Sequence, residues 1–144
     1  MAVALTATAG LAGAVQAAVM GELGERVGIV PAVAFSVIVA LVLGLVALLV
    51  WERSLEGVRG ALQEPVWLWL GGVMSIYIVL AITVGPPRIG VAATVGIVIA
   101  GNLVSAALID RYGLFGQDVI PLDRWRLLGL LLLAAGAALS LSRA

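Results

Sequence analysis

The chain has 144 residues, of which 63% are hydrophobic and only 11% are charged, and its eight arginines balance eight acidic residues. The absence of Cys, His and Lys excludes disulfides, thiol and imidazole catalysis, the usual zinc ligand sets and Schiff-base chemistry. A net charge of zero argues against nucleic-acid binding, which needs a basic patch. We therefore expect no enzyme, no catalytic residues, no cofactor, no metal and no nucleic-acid partner.

Five uncharged stretches are long enough to cross a bilayer, because about 20 helical residues span a hydrocarbon core roughly 30 Å thick. They are Val3–Met20, Ile29–Trp51, Trp67–Gly85, Ile89–Ile109 and Leu127–Ser142. Their length and their Leu and Ala content favour helices over barrel strands. The longest connections, Glu52–Val66 and Asp110–Arg126, have the length of surface loops. We predict an all-α integral membrane bundle, a single domain of five transmembrane helices over residues 1–144.

The arginines give a weak signal for orientation. With the N-terminus on side one, that side receives Arg53, Arg59, Arg111, Arg124 and Arg126, and the other side receives Arg26, Arg88 and Arg143. Cytoplasmic loops normally carry the excess of basic residues, so this distribution slightly favours a cytoplasmic N-terminus. Two interpretations remain open. The chain inserts in one orientation, or it inserts in both and forms an antiparallel homodimer with inverted repeats around a midplane site.

Small residues and tryptophans indicate how the helices pack and where the membrane ends. The second stretch carries small residues in four-residue steps, at Ala32, Ser36, Ala40 and Gly44. Such a stripe lets another helix backbone approach closely. The tryptophans lie at the ends of the stretches, which is typical of an interfacial belt: Trp51, Trp67, Trp69 and Trp125.

Few polar side chains lie inside the stretches. Gln16 and Asn102 carry amide groups that lipid cannot satisfy, so each must face another helix or a wet cavity. An interhelical hydrogen bond and a substrate contact are equally good interpretations of both amides. Neither interpretation is favoured for Tyr77 and Thr94. A packing role is favoured for the other hydroxyl groups in the spans, because they can form hydrogen bonds to their own helix.

No carboxylate lies near the middle of any stretch, which favours a neutral or modestly polar substrate over a cation. The nearest acids are Glu22 and Glu25, just past the first stretch, and Asp110, at the end of the fourth. Their simplest interpretation is as solvated interfacial charges, paired loosely with Arg26 or Arg111. Glu22 remains a possible coupling acid if the first helix continues into a wet vestibule.

Several segments together resemble the YdcZ-type half-size proteins of the drug/metabolite transporter superfamily. They are Gln16–Val19, Leu23–Gly24, Trp67–Gly72, Pro87–Thr94, Ala100–Leu103 and Leu108–Gly116. The resemblance covers nearly the whole chain in order and spacing. The chain departs from the family pattern at Met20, where the family usually has Asn, and at Asn102, where it usually has Gln.

The resemblance implies a five-helix unit equivalent to half of a ten-helix transporter. Such a unit pairs head to tail with itself as an antiparallel homodimer, or with an oppositely oriented paralogue. It would transport a small molecule across the bilayer by alternating access, at a midplane site lined by Gln16, Tyr77, Thr94 and Asn102. The alternatives are a passive channel and a non-transporting structural or assembly subunit.

Overall fold

The computed structural model of the protein describes residues 2–121 and 123–141, with side chains up to residue 139. The described part is helical and contains no strand. Its α-helices are α1 (Ala2–Val27), α2 (Ile29–Trp51), α3 (Glu56–Gln63), α4 (Leu70–Val84), α5 (Pro86–Ile89), α6 (Val91–Tyr112) and α7 (Arg124–Leu141). Short 3-10 helices occupy Val66–Trp69 and Leu114–Gly116. The predicted all-α fold is confirmed.

Within the described residues, four helical stretches are long and apolar enough to cross a membrane. They are Ala2–Val27, Ile29–Trp51, Val66–Ile89 and Val91–Tyr112. The fifth predicted stretch, Leu127–Ser142, coincides with α7 up to Leu141, and Ser142 lies outside the described residues. That α7 forms a fifth crossing stays a prediction.

Some helices extend beyond the apolar stretch that was predicted, so their boundaries differ from the boundaries of that stretch. The first predicted span, Val3–Met20, lies within α1, which continues for two more turns through Val27. Charged side chains in those turns are exposed and do not interrupt the backbone hydrogen bonds. The connection from residue 52 to 66 is also more ordered than a loop, since it contains α3. The limits of α2 agree with the prediction at both ends.

Two turns in the chain share one backbone geometry. Gly28 joins α1 to α2 with φ 93° and ψ 153°, and Gly90 joins α5 to α6 with φ 81° and ψ 158°. Residues with a Cβ essentially do not adopt this region. In each turn the glycine N–H donates to the carbonyl four residues earlier, at 3.0 and 2.9 Å. The local sequences also match, as Arg26-Val-Gly-Ile29 and Arg88-Ile-Gly-Val91.

One compact unit comprises Val19–Val84. In it α2 and α4 pack against each other, and the fully or almost fully buried residues include Ala32, Val33 and Ile82. The predicted small-residue stripe of α2 is buried only where it begins. Ala32 is buried and Ser36 half-buried, whereas Ala40 and Gly44 are exposed. The second half of α2 therefore presents its small residues outward in the single chain.

The other compact unit combines the chain up to Ala18 with the chain from Gly85 onward. Its main contact is between α6 and α7. Gly96 of α6 approaches Ala137 of α7 so closely that a Cβ on Gly96 would lie 3.8 Å from the Ala137 Cα. Small residues thus permit the close helix approach that membrane helices use in place of a hydrophobic driving force.

Candidate functional site

Three of the predicted substrate contacts lie close to the middle of membrane-spanning helices. Gln16 is the fifteenth residue of the 26 in Ala2–Val27, and Tyr77 is the twelfth of the 24 in Val66–Ile89. Asn102 is the twelfth of the 22 in α6. With a rise of about 1.5 Å per residue, each lies within about 3 Å of the middle of its helix along the helix axis. All three therefore have the depth expected of a midplane site.

The side chains of Gln16, Tyr77 and Asn102 are not covered by other residues of the single chain. Gln16 and Asn102 are exposed, and Tyr77 retains 66% of its accessible surface. None of the side-chain hydrogen bonds or ion pairs of the described residues involves Gln16, Tyr77 or Asn102. Amide and phenol groups at this depth need a polar partner, because hydrocarbon supplies none. Their partner must come from water, a ligand or another polypeptide.

Thr94 differs from the other three. It is only 4% exposed, and its Oγ1 donates to the carbonyl oxygen of Gly90 at 2.8 Å. It lies two turns before Asn102 on α6, about 12 Å away along the helix axis. The hydroxyl keeps acceptor capacity after this bond, so a substrate contact at Thr94 stays a prediction.

Two buried threonines occupy the space that a neighbouring glycine leaves empty. Thr83 is 1% exposed and its Oγ1 donates to the Val79 carbonyl at 2.7 Å, while its methyl group points at Gly24 of α1. Thr94 lies against Gly85 with both its methyl carbon and its hydroxyl oxygen. Each hydroxyl donates to the carbonyl four residues earlier, so both threonines pack without an unpaired donor.

Glu22 lies on α1, beyond the predicted end of the first stretch. Its Oε1 accepts a hydrogen bond from Arg26 Nε at 2.7 Å, one turn further along the helix, and both side chains are more than half exposed. An exposed pair of this kind contributes at most about 1 kcal/mol. The predicted pairing with Arg26 is confirmed, and a role for Glu22 as a coupling acid stays a prediction.

Asp110 does not pair with its neighbour Arg111. Its Oδ2 lies 3.0 Å from a terminal guanidinium nitrogen of Arg126 on α7, whereas Arg111 lies 6.0 Å from the ring centre of Tyr112. Adjacent helical residues point about 100° apart, so a partner on the next helix is better placed than Arg111. The ion pair closes one end of a groove of about 200 Å³ between α6 and α7, which is otherwise apolar and includes Leu103, Ala107, Gly129 and Leu133.

The predicted site residues are distributed over both compact units. Gln16, Thr94 and Asn102 belong to one unit, and Tyr77 and Glu22 to the other. The described residues contain no group of three or more acidic side chains that could hold a metal ion. Sequence reasoning missed the two glycine–threonine contacts. The spacing of Arg-x-Gly before each turn was the available signal for the turns themselves.

A comparison with known families gives one match. The family model described as "Putative inner membrane exporter, YdcZ" matches residues 1–139, almost the entire chain. No curated protein and no solved structure matches the chain. The match agrees with the resemblance carried by the sequence motifs and with the four helices able to span a membrane. The chain belongs to the YdcZ family of the drug/metabolite transporter superfamily.

Proposed function

We propose that the protein exports a small molecule by alternating access, through a site formed between two copies inserted in opposite orientations. The observation that carries this proposal is the exposure of Gln16, Tyr77 and Asn102 at the middle of membrane-spanning helices. Lipid cannot satisfy these polar groups, and intramembrane polar groups commonly mark transport pathways. A second copy would cover them and enclose a wet space.

The depth of these residues explains why an inverted copy suits the site. Turning the chain over exchanges the two membrane faces but leaves the middle of each helix at the same level. Gln16 and Asn102 of both copies would therefore meet near the midplane, whereas Glu22 and Asp110 of the two copies would lie on opposite faces. Transporters built from inverted repeats hold their substrates at such a midplane level. A paralogue inserted the other way would provide the same arrangement.

The mechanism follows from that arrangement. Two copies related by an axis in the membrane plane would form a central cavity that opens to one side at a time. Rocking of one copy against the other would expose the cavity to each face in turn. α7 would form the fifth crossing of each copy, giving ten helices in the pair.

The chemistry of the site favours a neutral or modestly polar substrate. The mid-helix groups are two amides and a phenol, which donate and accept hydrogen bonds without carrying charge. Glu22 and Asp110, the acids nearest in sequence to Gln16 and Asn102, are each paired with an arginine. A bare cation at the midplane would lack a counter-charge and would be costly to desolvate.

Flux into proteoliposomes tests the proposal. The purified protein is reconstituted and offered labelled sugars, nucleosides and small amides, with tetraphenylphosphonium as a cationic comparison. We expect saturable flux of a neutral solute, lowered by Asn102→Ala and Gln16→Ala by about 3- to 30-fold, since one intramembrane hydrogen bond contributes about 0.6–2 kcal/mol. Val104→Ala and Val15→Ala are matched controls, because both remove exposed apolar groups at similar depth.

Three results would contradict the proposal. Flux that rises linearly with concentration indicates a passive channel. An absence of flux above protein-free liposomes, for every solute in the panel, indicates a structural or assembly subunit. Saturable flux that is unchanged in Asn102→Ala and Gln16→Ala, combined with weakened self-association of both variants, would assign the amides to helix packing.

A further inference from the structure

The helix α3 has one apolar side and one polar side. At 100° per residue, Val58 and Leu62 fall on one side together with Leu55, which immediately precedes the helix. Glu56 and Gln63 lie about 100–160° from Val58 and Leu62, on the other side, whereas Arg59 lies at the boundary between the two sides. The helix therefore has the pattern of an amphipathic surface helix, although it is only eight residues long.

The apolar side of α3 is uncovered in the single chain. All eight residues of α3 are exposed, and Leu55, Val58 and Leu62 retain 51%, 44% and 63% of their accessible surface. A helix this short is not stable in water on its own propensity, and two of its eight residues are glycine. Something must cover the apolar side to favour the helical state.

The neighbouring tryptophans place α3 at the membrane surface. Trp51 ends α2 and Trp67 lies in the 3-10 helix before α4, at the ends of two membrane-spanning stretches. Tryptophan at such ends marks the lipid headgroup level. Four residues link Trp51 to α3, so α3 begins within about 14 Å of α2, and two residues link it to Val66, a reach of about 7 Å.

We propose that α3 is an interfacial helix, which lies in the plane of the bilayer surface and inserts Leu55, Val58 and Leu62 at the boundary between headgroups and acyl chains. Amphipathic helices bind at this boundary through their apolar side. The spans on either side of α3 already hold it at this depth, so the bilayer is the apolar phase within its reach. Glu56 and Gln63 then face the water.

The net charge of residues 52–66 bears on which lipids this segment would bind. Residues 52–66 contain three glutamates and two arginines, so the segment carries one net negative charge. Anionic lipids attract basic segments, and this segment has no such attraction to offer. The apolar side chains alone would hold α3 at the interface. Its depth should therefore be the same in zwitterionic and anionic membranes.

Spin labels can test this directly, because the chain has no native cysteine. Single cysteines replace Val58 and Leu62 on the apolar side, and Glu56 and Gln63 on the polar side serve as matched controls. Each labelled full-length variant is reconstituted into phosphatidylcholine vesicles and into mixed phosphatidylcholine–phosphatidylglycerol vesicles. Collision rates are measured with oxygen, which concentrates in lipid, and with a water-soluble nickel complex. All four positions are exposed, so no label displaces a packed side chain.

We expect labels at 58 and 62 to collide preferentially with oxygen and labels at 56 and 63 with the nickel complex, in both lipid mixtures. Equal access of the nickel complex to all four labels would overturn the proposal, because α3 would then lie in water. Protection of 58 and 62 from both reagents would also overturn it. Spin–spin broadening at those positions would then identify a second copy of the chain as the cover.

Discussion

Replacing Gly24 by alanine should force α1 and α4 apart, because the new Cβ would lie 2.7 Å from the methyl carbon of Thr83. Ordinary contacts of a Cβ begin at 3.4 Å, so one of the two groups must move by about 0.7 Å. Thr83 is 1% exposed and its hydroxyl is bonded to the Val79 carbonyl, which limits its freedom to turn away. Overpacking of this kind costs about 1–3 kcal/mol.

A control is needed because alanine is a better helix former than glycine by about 0.8–1 kcal/mol. Gly44 of α2 supplies it, since a Cβ there meets no atom within 4 Å. Gly44→Ala should leave the free energy of unfolding unchanged or raise it by up to about 1 kcal/mol. The free energy of unfolding of Gly24→Ala should be about 1–3 kcal/mol lower than that of Gly44→Ala. This difference is the steric contribution alone.

The compensating change is Thr83→Ser, which removes the clashing methyl group and keeps the hydroxyl bonded to Val79. The double variant Gly24→Ala/Thr83→Ser should recover most of the loss, giving a coupling energy of about 1 kcal/mol or more in a double-mutant cycle. Helicity followed during reversible unfolding in mixed micelles provides the free energies. The proposed packing would be refuted if Gly24→Ala had the same free energy of unfolding as Gly44→Ala. It would also be refuted if the double variant recovered none of the lost free energy.

The second glycine–threonine contact should respond differently. A Cβ on Gly85 would lie 2.5 Å from both the methyl carbon and the hydroxyl oxygen of Thr94. Thr94→Ser therefore leaves the oxygen clash in place and should not rescue Gly85→Ala. Thr94→Ala removes both of these atoms and should rescue most of the loss, with only the Thr94 Cβ at 3.1 Å left to adjust. The same two experiments thus distinguish a one-atom clash from a two-atom clash.

Two further outcomes follow from the structure. Gly28→Ala and Gly90→Ala should each lower the free energy of unfolding by about 1–3 kcal/mol, since both glycines have positive φ angles that alanine rarely adopts; tolerance of either change in the same unfolding assay would contradict the turn geometry. Asp110→Asn removes a partly exposed ion pair with Arg126 and should cost less than about 1 kcal/mol, with the difference shrinking as salt is added; a larger, salt-independent loss would contradict this estimate.

The sequence predicted the membrane-spanning helices well where charge and glycine bound an apolar run. Gly28 and Glu52 enclose α2, and both of its ends were predicted correctly. The predicted span Val3–Met20 does not mark the end of α1, because an apolar run indicates how far the lipid extends and not where helical hydrogen bonding ends. Glu22 and Arg26 stabilise helical turns that lie beyond the apolar run.

Tertiary partners were harder to predict than helices. Asp110 has Arg111 beside it in sequence, yet it pairs with Arg126 on the neighbouring helix. Thr94 and Asn102 lie on the same helix, yet one is buried and the other exposed. Such differences depend on where two helices diverge, which a hydrophobic pattern does not encode. The central depth of Asn102, in contrast, could be read directly from its distance to both ends of the apolar stretch.

The orientation of the chain in the membrane tests the antiparallel pair most directly. Gln117 is exposed in the connection between α6 and α7, and a cysteine placed there is the chain's only thiol. Intact cells expressing Gln117→Cys are treated with a membrane-impermeant maleimide, and total thiol is measured after permeabilisation. Dual insertion predicts that roughly half of the protein is labelled from outside. Labelling of nearly all or nearly none would contradict a pair formed by two copies of this chain.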